Sequence, residues 1–173
     1  VSERVELFLQ ACAAVEHGHQ RQIVHRDLKP ENILVAAGDE ETLHVKVIDF
    51  GIARMNDETE TAPITMAGQV LGTLPYMSPE QCEGRSDTRT DVYALGVVLY
   101  ELLTERLPFD FATRSFTAAM RTIRLESPLP PSATKRALRG ALEAVMLKAL
   151  AKEPRHRYQS VGALTSDLEA WLA

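Results

Sequence analysis

The sequence predicts a mainly helical α+β domain with one small β-hairpin. Three observations carry this expectation. Most apolar stretches repeat at helical spacing, only two short runs alternate as strands do, and the composition is that of an ordinary globular chain. Of the 173 residues, 45% are hydrophobic and 25% charged, which excludes disorder along the whole length. That length suits one domain, since domains usually run to about 100–200 residues. The net charge of −5 comes from 19 basic and 24 acidic residues. It shows no basic stripe, so nucleic acid is a poor partner. The two cysteines, Cys12 and Cys82, are too few for a disulfide framework and read as thiols in a reducing compartment. There is no run of about 18 apolar residues to cross a membrane and no signal peptide. The chain starts at Val1, inside a helical pattern, which reads as a truncated start.

Val5, Phe8, Cys12, Val15 and His19 fall on one helical face, predicting a first helix of about five turns that Gly18 weakens at its end. The polar string from His25 to Asn32 contains Pro30, which discourages helix. Ile33-Leu34-Val35 reads as a strand, Ala36 to Glu41 as a turn, and Leu43, Val45 and Val47 alternate as a second strand. From Ile52 to Met77 there is little periodicity, and so long a loop inside a domain is expected to be functional. Ser78-Pro79-Glu80 predicts a short helix capped by Ser78 and ended by Gly84. Asp91 to Leu103 is apolar all round, the pattern of a buried central helix, and Pro108 stops it. A weaker helix is expected near 117–125, followed by an extended linker at 127–131. Leu138 to Leu150 and Val161 to Trp171 predict the last two helices.

Three strings stand in a fixed order: His25-Arg26-Asp27-Leu28 with Asn32 beyond, then Asp49-Phe50-Gly51 after a strand, then Ser78-Pro79-Glu80 after the long loop. On these residues the chain resembles the large C-terminal lobe of a protein kinase, and in Gly72-Thr73-Leu74-Pro75-Tyr76 a bacterial-type serine/threonine kinase. Ser78 stands where many members carry alanine, a mild departure because serine caps a helix well. The resemblance runs from Val1 nearly to Ala173 and implies one unit over 1–173. Within it fall a catalytic loop at 25–32, a metal motif at 49–51, an activation segment at 49–80, a central helix near 91–103 and C-terminal helices near 135–172. The family's N-lobe, with its Gly-rich loop and strand lysine, is absent from these residues, so the isolated chain is expected to be inactive or nearly so.

The resemblance implies an ATP-dependent transfer of the γ-phosphate to Ser/Thr hydroxyls of a protein substrate, self-phosphorylation included, in the cytoplasm. Asp27 would accept the hydroxyl proton. Lys29, two residues on and on the same side of an extended segment, would stabilise the transferring phosphate. Tyrosine kinases usually place this cation differently. Asn32 and Asp49 would supply oxygens to Mg²⁺ or Mn²⁺. Thr73 would help hold Asp27 and Lys29 and shape the pocket for the residue after the phosphorylated one. Arg26 implies regulation by a loop phosphate, with Thr65 favoured over Thr59 and Thr61. His25, Phe50, Gly51, Glu80, Asp91 and Arg157 would be structural supports: His25 under Phe50, Asp91 bracing the backbone near His25 and Arg26, and Glu80 paired with Arg157.

Taken singly, Asp27 and Asp49 are ordinary exposed carboxylates, and only the ordered motifs give them chemistry. His17, His19 and His25 lack the carboxylates or cysteines of a metal site, and His19 reads as a helix-end polar contact. Asp39-Glu40-Glu41 is a solvated turn. The alternative function is a pseudokinase or scaffold that keeps only the large lobe. Retention of Asp27, Lys29, Asn32 and Asp49 together argues against it, because a scaffold needs none of them.

Overall fold

The computed structural model describes residues 1–38, 42–50, 72–112 and 114–173. Its elements are α1 (Ser2–His19), β1 (Ile33–Ala37), β2 (Leu43–Val47), α2 (Thr88–Thr104), α3 (Phe116–Leu125), α4 (Pro131–Thr134), α5 (Ala141–Ala149) and α6 (Val161–Leu172).

Every residue from Thr90 to Tyr100 in α2 is buried, so this helix is the axis of the core. Val5, Phe8, Cys12 and Val15 of α1 pack toward it, as do Leu142, Met146 and Ala149 of α5, while Leu164 and Leu168 of α6 close the other side. Each fully buried leucine, such as Leu95, Leu99 or Leu164, contributes about 1.5–3 kcal/mol. Cys12 and Cys82 are both free thiols. Burial pushes the Cys12 thiol well above its ordinary range and the half-buried Cys82 thiol up to about 11. Both therefore pack as small apolar groups and not as nucleophiles.

The central helix begins three residues before the expected Asp91. Asp87 Oδ1 accepts from Arg89 N at 2.8 Å, and Asp87 N donates to Thr90 Oγ1 at 3.2 Å. This reciprocal cap satisfies the first amides. Asp91 therefore sits inside the first turn, with its carboxylate available for other work. The expected helix after Ser78 is instead a single 3₁₀ turn, Gln81–Glu83, closed by Gly84 at φ 76°. The expected helix from Leu138 starts at Ala141, because Gly140 at φ 116° interrupts the chain after a 3₁₀ turn at Arg136–Leu138.

The two strands are antiparallel, from Ile33 opposite Val47 to Ala37 opposite Leu43, so β1 runs two residues past the expected Val35. The free edge of β2 is covered from α1. The Gln10 amide donates to Leu43 O at 3.1 Å and accepts from Val45 N at 3.0 Å, as a third strand would.

Gly96 sets the approach of α2 to α5, for a Cβ there would lie 2.8 Å from the Ala149 Cβ. Ala149 is a short side chain on a packed helix and has nowhere to go. Alanine at position 96 gains about 1 kcal/mol of helix propensity against an overpacking cost of about 1–3 kcal/mol. The Gly96→Ala variant should unfold at a lower urea concentration than the parent, and a raised midpoint would show the contact to be slack.

Candidate active site

The 25–32 loop is held from below by one buried carboxylate. Asp91 Oδ2 accepts from His25 N and Oδ1 from Arg26 N, both at 2.8 Å. His19 Nε2 donates to Asp91 Oδ2 at 2.7 Å, so the expected loose helix-end contact of His19 is a third, buried prop of this carboxylate. Fully hydrogen-bonded, a buried carboxylate is tolerable. Arg26 needs the clamp, since its φ of 68° lies in the left-handed region that disfavours side chains.

His25 is fully buried and fixes the next step of the loop. Its Nε2 lies 2.9 Å from Ile48 O, and Asp27 N donates to its Nδ1 at 3.3 Å. A carbonyl only accepts and an amide only donates, so both bonds fit the neutral ring carrying its proton on Nε2. Phe50 packs against this ring in a tilted arrangement, with centroids 4.7 Å apart and the planes 48° from parallel. Phe50 in turn lies where a Cβ on Gly18 would be, 2.8 Å from Cε1, which is why the end of α1 carries glycine.

Asp27 Oδ2 stands 3.3 Å from Lys29 Nζ, and Lys29 Nζ donates to Thr73 Oγ1 at 3.0 Å. Lys29 is extended, at φ −160° and ψ 164°, which puts its side chain on the Asp27 side. Asp27 Oδ1 is buried and has no hydrogen-bond partner among the described residues. Asn32 donates its side-chain amide to Asp27 O at 2.8 Å, which leaves the amide oxygen as its acceptor. The Asn32 carbonyl accepts from Ile48 N at 2.9 Å, one residue before Asp49. Thus the hairpin brings Asn32 and Asp49 to its joined ends. Asp49 also has a left-handed backbone, at φ 55°. Gly51 and Thr65, with Thr59 and Thr61, lie outside the described residues.

Farther out, Arg157 grips Glu80 with two parallel bonds of 2.6 and 2.7 Å, and Thr90 Oγ1 donates to the same carboxylate at 3.1 Å. Arg157 also donates to the carbonyls of Ala151, Lys152 and Arg89. Burial acts to raise the Glu80 carboxyl, but the Arg157 bonds and charge outweigh it and hold Glu80 below its ordinary value. This pair fixes where the 74–84 stretch meets α2.

Sequence reasoning missed two parts of the site. Gln81 Nε2 donates to Arg26 O at 2.8 Å while its Oε1 accepts from Ser78 N at 2.9 Å, tying the loop to the turn after Glu80. A glutamine three residues after a capping serine was the available signal. Tyr76 OH donates to Glu101 Oε2 at 2.5 Å, joining the 74–76 turn to α2. No local pattern announces a contact between those two positions.

A family model described as the protein kinase domain matches residues 2–168. The chain is 46% identical over 170 residues to the serine/threonine-protein kinase Pkn1 of Myxococcus xanthus, covering 98% of this chain and 24% of that protein. It is 46% identical over 165 residues to the serine/threonine-protein kinase PknB of Mycobacterium tuberculosis, covering 95% of this chain and 25% of that one. A second Myxococcus xanthus kinase, pkn3, is 42% identical over 176 residues, with 96% and 31% covered. The chain thus spans about a quarter of the length of the first two curated relatives.

The Glu80–Arg157 pair yields a signed pH effect. A carboxyl held below its ordinary value of 4.5 stabilises the fold fully above that pH, and the contribution is lost as pH falls through the lowered value. Glu80→Gln alone leaves the arginine charge unpaired and should cost about 3–5 kcal/mol at neutral pH. The double variant Glu80→Gln/Arg157→Met should be far closer to the parent in stability and lose less of it on acidification. Parallel pH–stability curves for parent and double variant would show that the pair contributes nothing to acid unfolding.

Proposed function

The chain belongs to the protein kinase family, and from that premise we propose that it carries the phosphoryl-transfer centre of a serine/threonine protein kinase, moving the γ-phosphate of ATP to a Ser or Thr hydroxyl of a protein substrate. The observation that carries this reading is the buried Oδ1 of Asp27, which has no partner among the described residues, beside the Lys29–Thr73 hydrogen bond. A buried acceptor left open is costly unless something arrives to use it. A substrate hydroxyl does so, donating to Oδ1 as its oxygen turns toward phosphorus.

The other residues act around that bond. Lys29 lies between Asp27 and Thr73, where its ammonium meets charge developing on the transferred group. Thr73 fixes Lys29 and brings the 72–77 stretch, which shapes the site for the residue after the acceptor, against the catalytic loop. Protein kinases in general use ATP and a divalent metal. The Asn32 amide oxygen and the Asp49 carboxylate, at the joined hairpin ends, are the hard oxygen donors that would hold Mg²⁺ or Mn²⁺. Among the described residues no group of three or more His, Cys, Asp and Glu side chains competes for such an ion. A metal held there neutralises phosphate charge and fixes its orientation. Arg26 is the receiver of an activating phosphate, with Thr65 as its favoured source, placed there by self-phosphorylation or by another kinase.

No helix among the described residues is long and apolar enough to cross a membrane. We place the domain in the cytoplasm, where ATP is plentiful.

In the full-length protein, Asp27→Asn should lower phosphate transfer to a protein substrate by about 10²–10⁴-fold, with nucleotide binding kept. Wild-type incorporation by this variant would sink the kinase reading and favour the scaffold. Thr73→Val keeps the shape of the side chain and removes the hydroxyl that Lys29 uses. It should reduce kcat more than it raises KM for ATP, whereas an effect on that KM alone would assign Lys29 to nucleotide binding.

A further inference from the structure

The peptide group between Arg26 and Asp27 is the last rigid unit before the proton acceptor, and it is held at both ends. The Asp27 amide donates to His25 Nδ1 at 3.3 Å, and the Arg26 carbonyl accepts from Gln81 Nε2 at 2.8 Å. A peptide is planar, so its N–H and C=O share one orientation. Pinning both fixes how the plane is turned, and the plane sets the direction in which the Asp27 side chain leaves the backbone. Arg26, at φ 68°, has no intrinsic preference that would hold that plane by itself. Of the two bonds, the one from Gln81 is the shorter.

The other end of Gln81 is rooted in the core. Its Oε1 accepts from Ser78 N at 2.9 Å, while Gln81 N donates to Ser78 Oγ at 3.3 Å and to Ser78 O at 3.1 Å. An N–H only donates and a carbonyl only accepts, so these two partners admit one orientation of the glutamine amide. Ser78 is fully buried, and Glu80 next to Gln81 is gripped by Arg157. Capping the turn needs only the Ser78 bonds. The bond to Arg26 O is additional, spans 55 residues, and lands on the residue before the proton acceptor. From the same stretch of chain, Thr73 holds the Lys29 side chain. One segment therefore touches the backbone that carries Asp27 and the lysine beside it.

We propose that Gln81 is a positioning residue for phosphoryl transfer: its side-chain amide sets the plane of the Arg26–Asp27 peptide and thereby aims the Asp27 carboxylate at the incoming hydroxyl. The proposal rests on the reading of Asp27 as the proton acceptor. Gln81 itself touches no reacting atom. Without its donor the plane is held from the His25 side alone, and the carboxylate swings about the weaker of its two anchors. A misplacement of about 1 Å can cost about 10²-fold in rate.

The test uses two variants of the full-length protein. Gln81→Glu, ionised at neutral pH, still accepts from Ser78 N but has nothing to donate to Arg26 O. Gln81→Met keeps the length of the side chain, adds no charge and also lacks the donor. Turnover is expressed per nucleotide site, counted by equilibrium dialysis of ADP, so that a loss of folded protein does not register. Both variants should lower kcat by roughly 10–100-fold, with KM for ATP within about twofold of the parent. Without any nucleotide, hydrogen exchange at the Asp27 amide should quicken in both, and in Gln81→Glu the 78–84 amides should keep the parental rate. Parental kcat per site in both variants would overturn the proposal. So would a fall confined to Gln81→Glu, which would assign the effect to the new charge, or unchanged exchange at Asp27. Asp27→Asn in the same assay separates the two readings. If it turns over at the parental rate, the proton-acceptor reading fails and the proposal falls with it; if it is slow while both Gln81 variants are fast, the proposal alone fails.

Discussion

Asp91 is fully buried near the start of the central helix, and its two oxygens receive the amides of His25 and Arg26. Each later part of the site is positioned from this point. The clamp holds Arg26 in a left-handed conformation that it would otherwise leave at a gain of about 1–3 kcal/mol. With Arg26 turned this way, the chain reverses direction, and Asp27 N meets His25 Nδ1. His25 carries the position on to Ile48, and Ile48 to Asn32. A carboxylate is suited to this role because it accepts from several directions without needing to donate. An asparagine there would turn an NH₂ toward one of three donors.

A buried carboxylate and a partly buried ammonium with different partners show what the fold does with ions. Glu80 is almost fully enclosed, yet its carboxyl stays below its ordinary value because Arg157 meets both oxygens. Lys152 is only partly buried and has no such fork. It donates to Ile123 O at 2.5 Å and sits 4.2 Å from the Phe109 ring centroid. Burial, with help from the nearby Arg157 charge, pulls its ammonium down to about 8. A carbonyl and a ring face are partial compensation, whereas a bidentate carboxylate is full compensation. The surface pairs, such as Arg4–Glu105 and Lys135–Glu105, are exposed on both sides and tune the fold at most lightly.

Sequence reading reached the elements whose signal is local. The all-round apolar run of α2, the alternation of β2, the α3 boundaries and Gly84 as a stop were legible because each depends on neighbours a few residues away. Misplaced boundaries arose where caps compete with pattern. Asp87 and Thr90 start α2 ahead of its apolar stripe, and Gly140 cuts off Leu138. In the site, residue types and order marked Asp27, Lys29, Asn32 and Asp49 as candidates. The props were harder to see. Gln81 to Arg26, His19 to Asp91 and Gln10 to the β2 edge join residues 55, 72 and 33–35 positions apart. No periodicity within one element encodes a partner on another.

Phosphoryl transfer asks a protein for position far more than for covalent reactivity, and the fold supplies it by keeping every site residue a short chain of bonds from the core. Asp27 is one residue from an amide clamped by Asp91. Lys29 is tied to Thr73, which precedes the turn that Tyr76 pins to α2. Asp49 follows Ile48, whose two backbone groups are held by Asn32 and His25. Two of these lines end on α2 itself and the third on a ring packed between Phe50 and the loop. A change that rotates or shifts α2, even far from Asp27, therefore moves the proton acceptor and the lysine together. The packing of Gly96 on Ala149 is for that reason as much a constraint on the site as on stability.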